Sequence, residues 1–482
     1  MSCSNRRTHT GKGGPSEAAD LLWDNPLPAK VITGQPEPKW SVEERMARFQ
    51  VPALSAAVVR DMEISWSQAW GVLEEGKDVQ ATPTSLFQTA SISKFVTAVG
   101  ALHVVREGQI SLDEDIATYL GDWHLPRGEY AGEVTLRQLL SHSAGVSTPG
   151  FDGYGVEDEL PSLIQILEGG DLVNSPPVRV VEQPGERFRY SGGGYLLVQK
   201  VMEEVTGEPF EEIMQKRVFS PLEMADSVYA PLDPSLHLRA ASGHSNAKPI
   251  PGKGPIHVET AAGGLWSTPS DLLKLTVEIM KAYRGEDGMV LGPEVAREML
   301  EPGFWEFGLG VRVLGEGLNL RFNHGGATRG WHGQVIAYPE RGEGVAVLTN
   351  GANGYVVWPE VERGLACSLG WPGWEPEVVD LLPLREKDRG SFPGTYQGPG
   401  VELELAWEPA EHGAYGAVMR IEYEFEGLTM TAVPAENDLF ELLEFEGQVS
   451  FDRNADGDVE GLELWFGMPD WSPYRRWHFE KV

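Results

Sequence analysis

Gln88-Thr89-Ala90-Ser91-Ile92-Ser93-Lys94-Phe95-Val96 is the stretch on which the rest of the chain is read. It opens a run that continues through Thr97, Ala98, Val99, Ala101, Leu102, Val104 and Val105 and stops at Gly108. From about Ser91 to Glu107 this predicts a helix that is apolar nearly all round, hence buried in the middle of its domain. Lys94 falls in its first turn, where a cation opposes the helix dipole. Burying an ammonium is unfavourable unless the group is paired or loses its proton. Ser91 and Lys94 stand three residues apart and share a helix face. Read singly, Ser91 is also a natural N-cap and Lys94 a side chain that snorkels to solvent. Ser-x-x-Lys by itself is short and common.

Outward from this helix, Ser41 to Phe49 reads as a short helix. Ala53 to Val59 and Ile64 to Gly71 read as strands joined by a turn around Asp61. A second helix is expected near Ser111, where Ser111 and Glu114 form a capping-box pattern. Leu136 to Ser141 and Tyr195 to Val205 also read as helices, the latter ending at Gly207. Strands return at Val335 to Tyr338 and Val345 to Leu348, around the turn Pro339-Glu340-Arg341-Gly342, and Tyr355 to Leu369 reads as a closing helix. Strands at both ends with helices between imply an α/β domain whose mainly antiparallel sheet pairs early strands with late ones.

Two further segments carry chemistry. Arg187-Phe188-Arg189-Tyr190-Ser191-Gly192-Gly193-Gly194-Tyr195 places a tyrosine before three glycines and a helix; glycines permit a close backbone approach, although a plain turn with Tyr190 in the core fits too. Arg321-Phe322-Asn323-His324-Gly325-Gly326-Ala327 is a strand pattern ending in small residues, along whose edge a substrate could lie; a β-bulge with an exposed histidine is the plainer reading.

The chain has 482 residues, which predicts two domains. After Phe392, short alternating runs such as Val401-Glu402-Leu403-Glu404-Leu405 and Met419 to Tyr423 indicate an all-β, barrel-like module. The expected division is a disordered or extended tail at 1–39, the α/β domain at 40–375, a linker at 376–390 and the β module at 391–482. The net charge of -33 argues against nucleic acid or an anionic membrane as partner. No run reaches the apolar length of a membrane span. Two cysteines, Cys3 and Cys367, form neither a disulfide framework nor a clustered zinc site. The polar N-terminus lacks the apolar core of a secretory signal, so a cytoplasmic location is expected.

Together the three segments resemble the serine β-lactamase and penicillin-binding protein superfamily, closest to its class C branch. Ser91 to Lys94 stands as Ser-x-x-Lys, Tyr190-Ser191-Gly192 where that branch has Tyr-x-Asn, and His324-Gly325-Gly326 where Lys-Thr-Gly or His-x-Gly is usual. Leu139 to Gly145 and Gly263 to Thr268 look like further landmarks. The resemblance spans roughly Trp40 to Trp371 and implies a β-lactamase/transpeptidase-like fold, an antiparallel sheet flanked by helices. It implies that Ser91 is acylated, that Lys94 and Tyr190 share the proton transfers, and that His324 tunes them. It places an oxyanion hole at the backbone N–H groups of Ser91 and Ala327, and substrate contacts at Gly192, Gly326 and Ala327. No metal or organic cofactor is implied, and His142 is read as structural. The β module resembles the lipocalin-like domains of some of these hydrolases, opening with Phe392-Pro393-Gly394-Thr395-Tyr396.

Gly192 and His324 depart from the β-lactamase pattern: an amide side chain and a lysine are missing, which disfavours β-lactam hydrolysis. The expected activity is cleavage of small-molecule esters or amides through an acyl-enzyme. The rivals are a D-amino-acid-specific peptidase or aminopeptidase acting on short peptides, a penicillin-recognising protein that acylates without turnover, and a non-catalytic binding module. Phe151, Tyr154 and Trp331 read as pocket walls or as core. Asp452-Arg453-Asn454-Ala455-Asp456-Gly457 followed by Glu463 matches a calcium loop, but its flanks read as strands and the loop as a hairpin turn. The lipase-type Gly-x-Ser-x-Gly elbow is absent. Gly11 to Gly14 does not make a phosphate loop, and oligomeric state is not legible.

Overall fold

A computed structural model describes residues 25–482 except 37, 127, 129, 131, 230–231, 381–388, 399, 409–417, 424–427, 437 and 468–474. The chain divides into two compact units, one being Pro52–Gly351 and the other formed by the segments on either side of it.

Within Pro52–Gly351 the sheet is built from β1 (Ala53–Arg60), β2 (Glu63–Gly71), β3 (Arg312–Leu314), β4 (Arg321–Thr328), β5 (Trp331–Tyr338) and β6 (Glu343–Thr349). Their order is β2-β1-β6-β5-β4-β3, with every neighbouring pair antiparallel. The earliest hairpin thus joins the latest strands, through pairs such as Ala57 with Ala346. β1 is a run of small and β-branched residues buried over nearly its whole length, as suits a strand covered on both faces. β2 lies at the edge, and its first residues are exposed.

Helix α1 (Ile92–Arg106) is buried from Ile92 through Leu102 and again at Val104. The Met214 side chain rests on it at Gly100, where a Cβ would lie 2.4 Å from the Met214 sulfur. Helix α2 (Gly192–Thr206) is ended by Gly207 in the left-handed conformation at φ 68°. Helix α3 (Pro269–Tyr283) is capped by Thr268, whose side chain accepts from the Asp271 N–H, and packs on β1, β5 and β6.

The helix expected from Ser111 does not form. Only a 3₁₀ turn, Ile116–Thr118, appears there, capped by Asp115. Tyr119 takes over both arms of the expected capping box: its hydroxyl donates to Glu114 and accepts from the Ser111 N–H.

The other unit contains helix Val42–Arg48, opened by a capping box of Ser41 and Glu44, and helix Gly354–Leu369. Arg45 is clamped by Glu360 through two hydrogen bonds of 2.7 and 2.5 Å, both side chains being buried. Glu377–Val379, inside the stretch read as a linker, pairs in parallel with Lys30–Ile32. Strands β7 (Gly394–Gly398), β8 (Val401–Glu408), β9 (Val418–Tyr423), β10 (Leu428–Glu436), β11 (Leu439–Leu442), β12 (Glu446–Arg453), β13 (Val459–Gly467) and β14 (Arg475–Lys481) form a closed antiparallel barrel. Each strand pairs with the next, and β7 with β14 closes the ring. Phe392, Phe440 and Phe451 form an aromatic core, and the Tyr396 hydroxyl donates to the Phe392 carbonyl at 2.6 Å. The calcium-loop pattern is the hairpin between β12 and β13, with Asn454 Oδ1 accepting from the Asp456 and Asp458 N–H groups at 3.0 Å.

Candidate active site

The short strand Phe87–Gln88 pairs with Leu265–Ser267 and leads into α1. Between them Ala90 adopts φ 48°, a left-handed conformation that is strained for alanine. Ser91 already has helical dihedrals and makes no capping bond. Its hydroxyl instead accepts from Lys94 Nζ at 3.0 Å. Lys94 also donates to the Ala262 carbonyl at 2.8 Å, and its side chain is buried rather than snorkelling. Burial lowers its pKa to about 7, so the amine gives up its proton readily.

Tyr190 lies against this pair, with Lys94 Nζ 5.2 Å from its ring centroid. Its phenol oxygen is buried, which raises its pKa above the ordinary range, while a hydrogen bond with Ser91 pulls the other way. The neighbouring Ser191 caps α2, accepting from the Gly194 N–H at 2.9 Å and donating to the Ser147 carbonyl at 2.6 Å. The Ser191 N–H in turn donates to His142 Nδ1 at 3.1 Å. The His142 ring sits 4.3 Å from that of Tyr190 and is also packed by Phe188, Tyr195 and Phe307. Burial, then the charges of Lys94 and His324, keep its pKa well below the usual histidine value. His142, read as structural from sequence, thus supports the phenol directly.

His324 is buried on β4 in a regular ladder, opposite Val335, so neither the bulge nor the exposed histidine is present. Its Nδ1 contacts the Gly325 carbonyl at 2.8 Å, which puts the proton on Nδ1 and leaves Nε2 as an acceptor. Burial first, then Lys94, lowers its pKa to about 3, so the imidazole is uncharged near neutrality. A Cβ on Gly326 would stand 2.0 Å from the Thr89 carbonyl oxygen. Glycine therefore lets β4 rest on the turn that leads to Ser91, and Ala327, one residue further, lines the same cavity as Ser91 and Lys94. At Gly192 a Cβ would meet the Phe151 ring at 2.9 Å and the Pro149 carbonyl at 3.2 Å. Phe151 thus fills the space into which an asparagine side chain would project.

Phe151 also lines the cavity, whereas Trp331 is core, packed edge-on to Phe87 and Trp266. Tyr154 is buried, its backbone paired with Ile256. Three contributors escaped the sequence reading: the Ala262 carbonyl, His257 and Thr328, all in the cavity wall. His257 pairs with the fully buried Glu259 at 3.5 Å and with the Thr328 hydroxyl at 3.1 Å. A glutamate set before Ala261-Ala262-Gly263-Gly264 was the available signal.

A serine bonded to a dehydrated lysine, a phenol beside both and a glycine-lined strand end together make a crevice equipped for acyl transfer on an α/β scaffold. The chain belongs to the Beta-lactamase family, whose model matches residues 41–366. It is 26% identical over 383 residues to Penicillin-binding protein 4 of Amycolatopsis lactamdurans, covering 73% of this chain and 94% of that protein. Among solved structures it resembles the octameric penicillin-binding protein homologue from Pyrococcus abyssi, with TM-score 0.60, 24% identity and coverage of 91% and 98% of the two chains. It also resembles SurE crystallised with D-Leu, with TM-score 0.56, 22% identity and coverage of 97% and 99%. Proteins of this fold family are in general serine hydrolases acting on small molecules or peptides. No helix among the described residues is long and apolar enough to cross a membrane.

Proposed function

We propose that this protein is a serine hydrolase that cleaves carboxylic esters or amides through an acyl-enzyme on Ser91. The observation that carries this reading is the 3.0 Å bond from Lys94 to Ser91, made by an amine whose pKa burial brings down to about 7. Ser91 Oγ attacks the substrate carbonyl carbon as its proton passes to Lys94. The N–H groups of Ser91 and Ala327 hold the resulting oxyanion. Tyr190, beside Ser91 and Lys94, passes a proton to the leaving group as the tetrahedral intermediate collapses, and is reprotonated from Lys94. Water then releases the acid and restores Ser91. His324 stays neutral and orients the network.

Without the asparagine amide, and with Phe151 in its place, esters are favoured over amides. A second reading, a D-amino-acid-specific peptidase, is supported by the likeness to a fold relative crystallised with D-Leu. The family match at 41–366 supports assigning the hydrolase domain to 40–375, and the barrel strands that begin at Gly394 support a β domain at 391–482, with 376–390 joining the two. The eight-stranded up-and-down closure supports a lipocalin-like character for the barrel.

Ser91→Ala tests the central claim. It should lower turnover of a p-nitrophenyl ester by about 10³-fold or more and abolish labelling by a fluorophosphonate. Unchanged rates and labelling would refute the proposal.

A further inference from the structure

Glu259 has no part in the acyl-transfer steps, yet its placement is unusual. It is fully buried, and neither carboxylate oxygen has a hydrogen-bond partner. Among the described residues its ion-pair partner is His257, with Nδ1 at 3.5 Å from Oε2. His257 lines the cavity that holds Ser91 and Lys94. Its other nitrogen, Nε2, meets the hydroxyl of Thr328, which lines that cavity too and follows Ala327 directly. Gly153 leaves room for the ring: a Cβ there would come within 3.1 Å of His257 Cε1.

The proton placement follows from the partners. With its hydrogen on Nδ1, facing the carboxylate, His257 offers Nε2 as an acceptor to the Thr328 O–H. The lone pairs of Thr328 are then available to the cavity, with the Glu259 carboxylate behind His257 and no hydrogen bond to either of its oxygens. Both features favour a positively charged hydrogen-bond donor in the cavity. The same cavity is poorly suited to an anion. Lys94 sheds its proton at about pH 7, and His324 is uncharged down to about 3. Gly325 stands where a threonine hydroxyl would be found in Lys-Thr-Gly.

We propose that Thr328, with His257 and Glu259 behind it, forms a subsite for a primary ammonium, so that the preferred acyl groups carry a free amine, as in amino-acid esters, amides and peptide N-termini. This rests on the reading of Ser91 as the nucleophile in the same cavity.

Alaninamide and isobutyramide differ by an ammonium in place of a methyl group, and neither needs to be turned over. Both are set to protect Ser91 against fluorophosphonate labelling, with both enantiomers of alaninamide compared. Alaninamide should protect at a concentration lower by about tenfold or more, and Glu259→Gln should erase that preference. Thr328→Val, which alters a half-buried side chain, should reduce it and serves as the test if the buried substitution prevents folding. Equal protection by the two amides, no protection by either, or a preference that survives in the variants would overturn the subsite. If Ser91 is not labelled at all, the hydrolase reading fails and the subsite fails with it; labelling without discrimination removes the subsite alone.

Discussion

Arg45 and Lys94 are both buried cations, one in each compact unit, and their surroundings differ in kind. Arg45 is held by both oxygens of Glu360 and has the Trp40 ring 3.8 Å from its guanidinium carbon. Among the described residues, Lys94 has a hydroxyl and a carbonyl for company and no carboxylate within ion-pair distance. A guanidinium cannot give up its proton, so burial obliges the fold to supply a counter-charge. An ammonium can, and burial without a counter-charge makes it a base. A paired cation is therefore an element of architecture, whereas an unpaired lysine set against a hydroxyl is poised for chemistry.

Lys94→Met should separate the two roles most sharply. Loss of the base should lower kcat/KM for an ester by about 10³-fold, within the range set by general-base catalysis. Folding stability, followed by urea denaturation, should hold or rise, because an unpaired buried amine is replaced by an apolar side chain of similar length. Near-normal activity in this variant would break the comparison from the Lys94 side.

Arg45→Met should do the reverse. It leaves Glu360 buried without its partner and should cost about 3–5 kcal/mol in urea melts. Adding Glu360→Leu should recover much of that loss. A single variant as stable as the parent would mean that the clamp contributes little to the fold.

The smallest effect is in pH. Below about 7 Lys94 holds its proton and cannot take that of Ser91, so kcat/KM should fall as pH drops through that value. His324, at about 3, adds no limb there. For stability the sign follows from proton counts. Between about 7 and the ordinary lysine value of 10.5, the unfolded chain holds a proton on this residue that the folded chain has released. The lysine's unfavourable contribution is therefore full below about 7 and fades as pH rises toward 10.5. A stability profile in which Lys94→Met and the parent run parallel across this window would contradict the depressed pKa.

Much of the architecture was readable because hydrophobic period and length agree. The apolar run after Ser91 is too long for a strand, and the short run of small and β-branched residues from Ala53 to Val59, with like runs late in the chain, supports a closing sheet. The Ser111 cap misled because its competitor, Tyr119, acts through a phenol eight residues away that local patterns do not register. Ser91, Lys94, Tyr190 and His324 could be picked out because their types and order are distinctive. The acceptor at Ala262 is a main-chain carbonyl, which every residue possesses, so no side-chain pattern marks it. His257 and Glu259 were overlooked for a different reason: their importance lies in what surrounds them, and burial without donors is a property of the folded chain.

The phenyl ring pressed against Gly192 bears on how this crevice could evolve. Asparagine at position 192 would meet a Phe151 carbon at about 2.9 Å from its first side-chain atom, so that step alone is unfavourable. Shrinking Phe151 first widens the cavity that it lines. Gaining an amide at position 192 therefore calls for Phe151 to move or be replaced, so the two positions constrain each other.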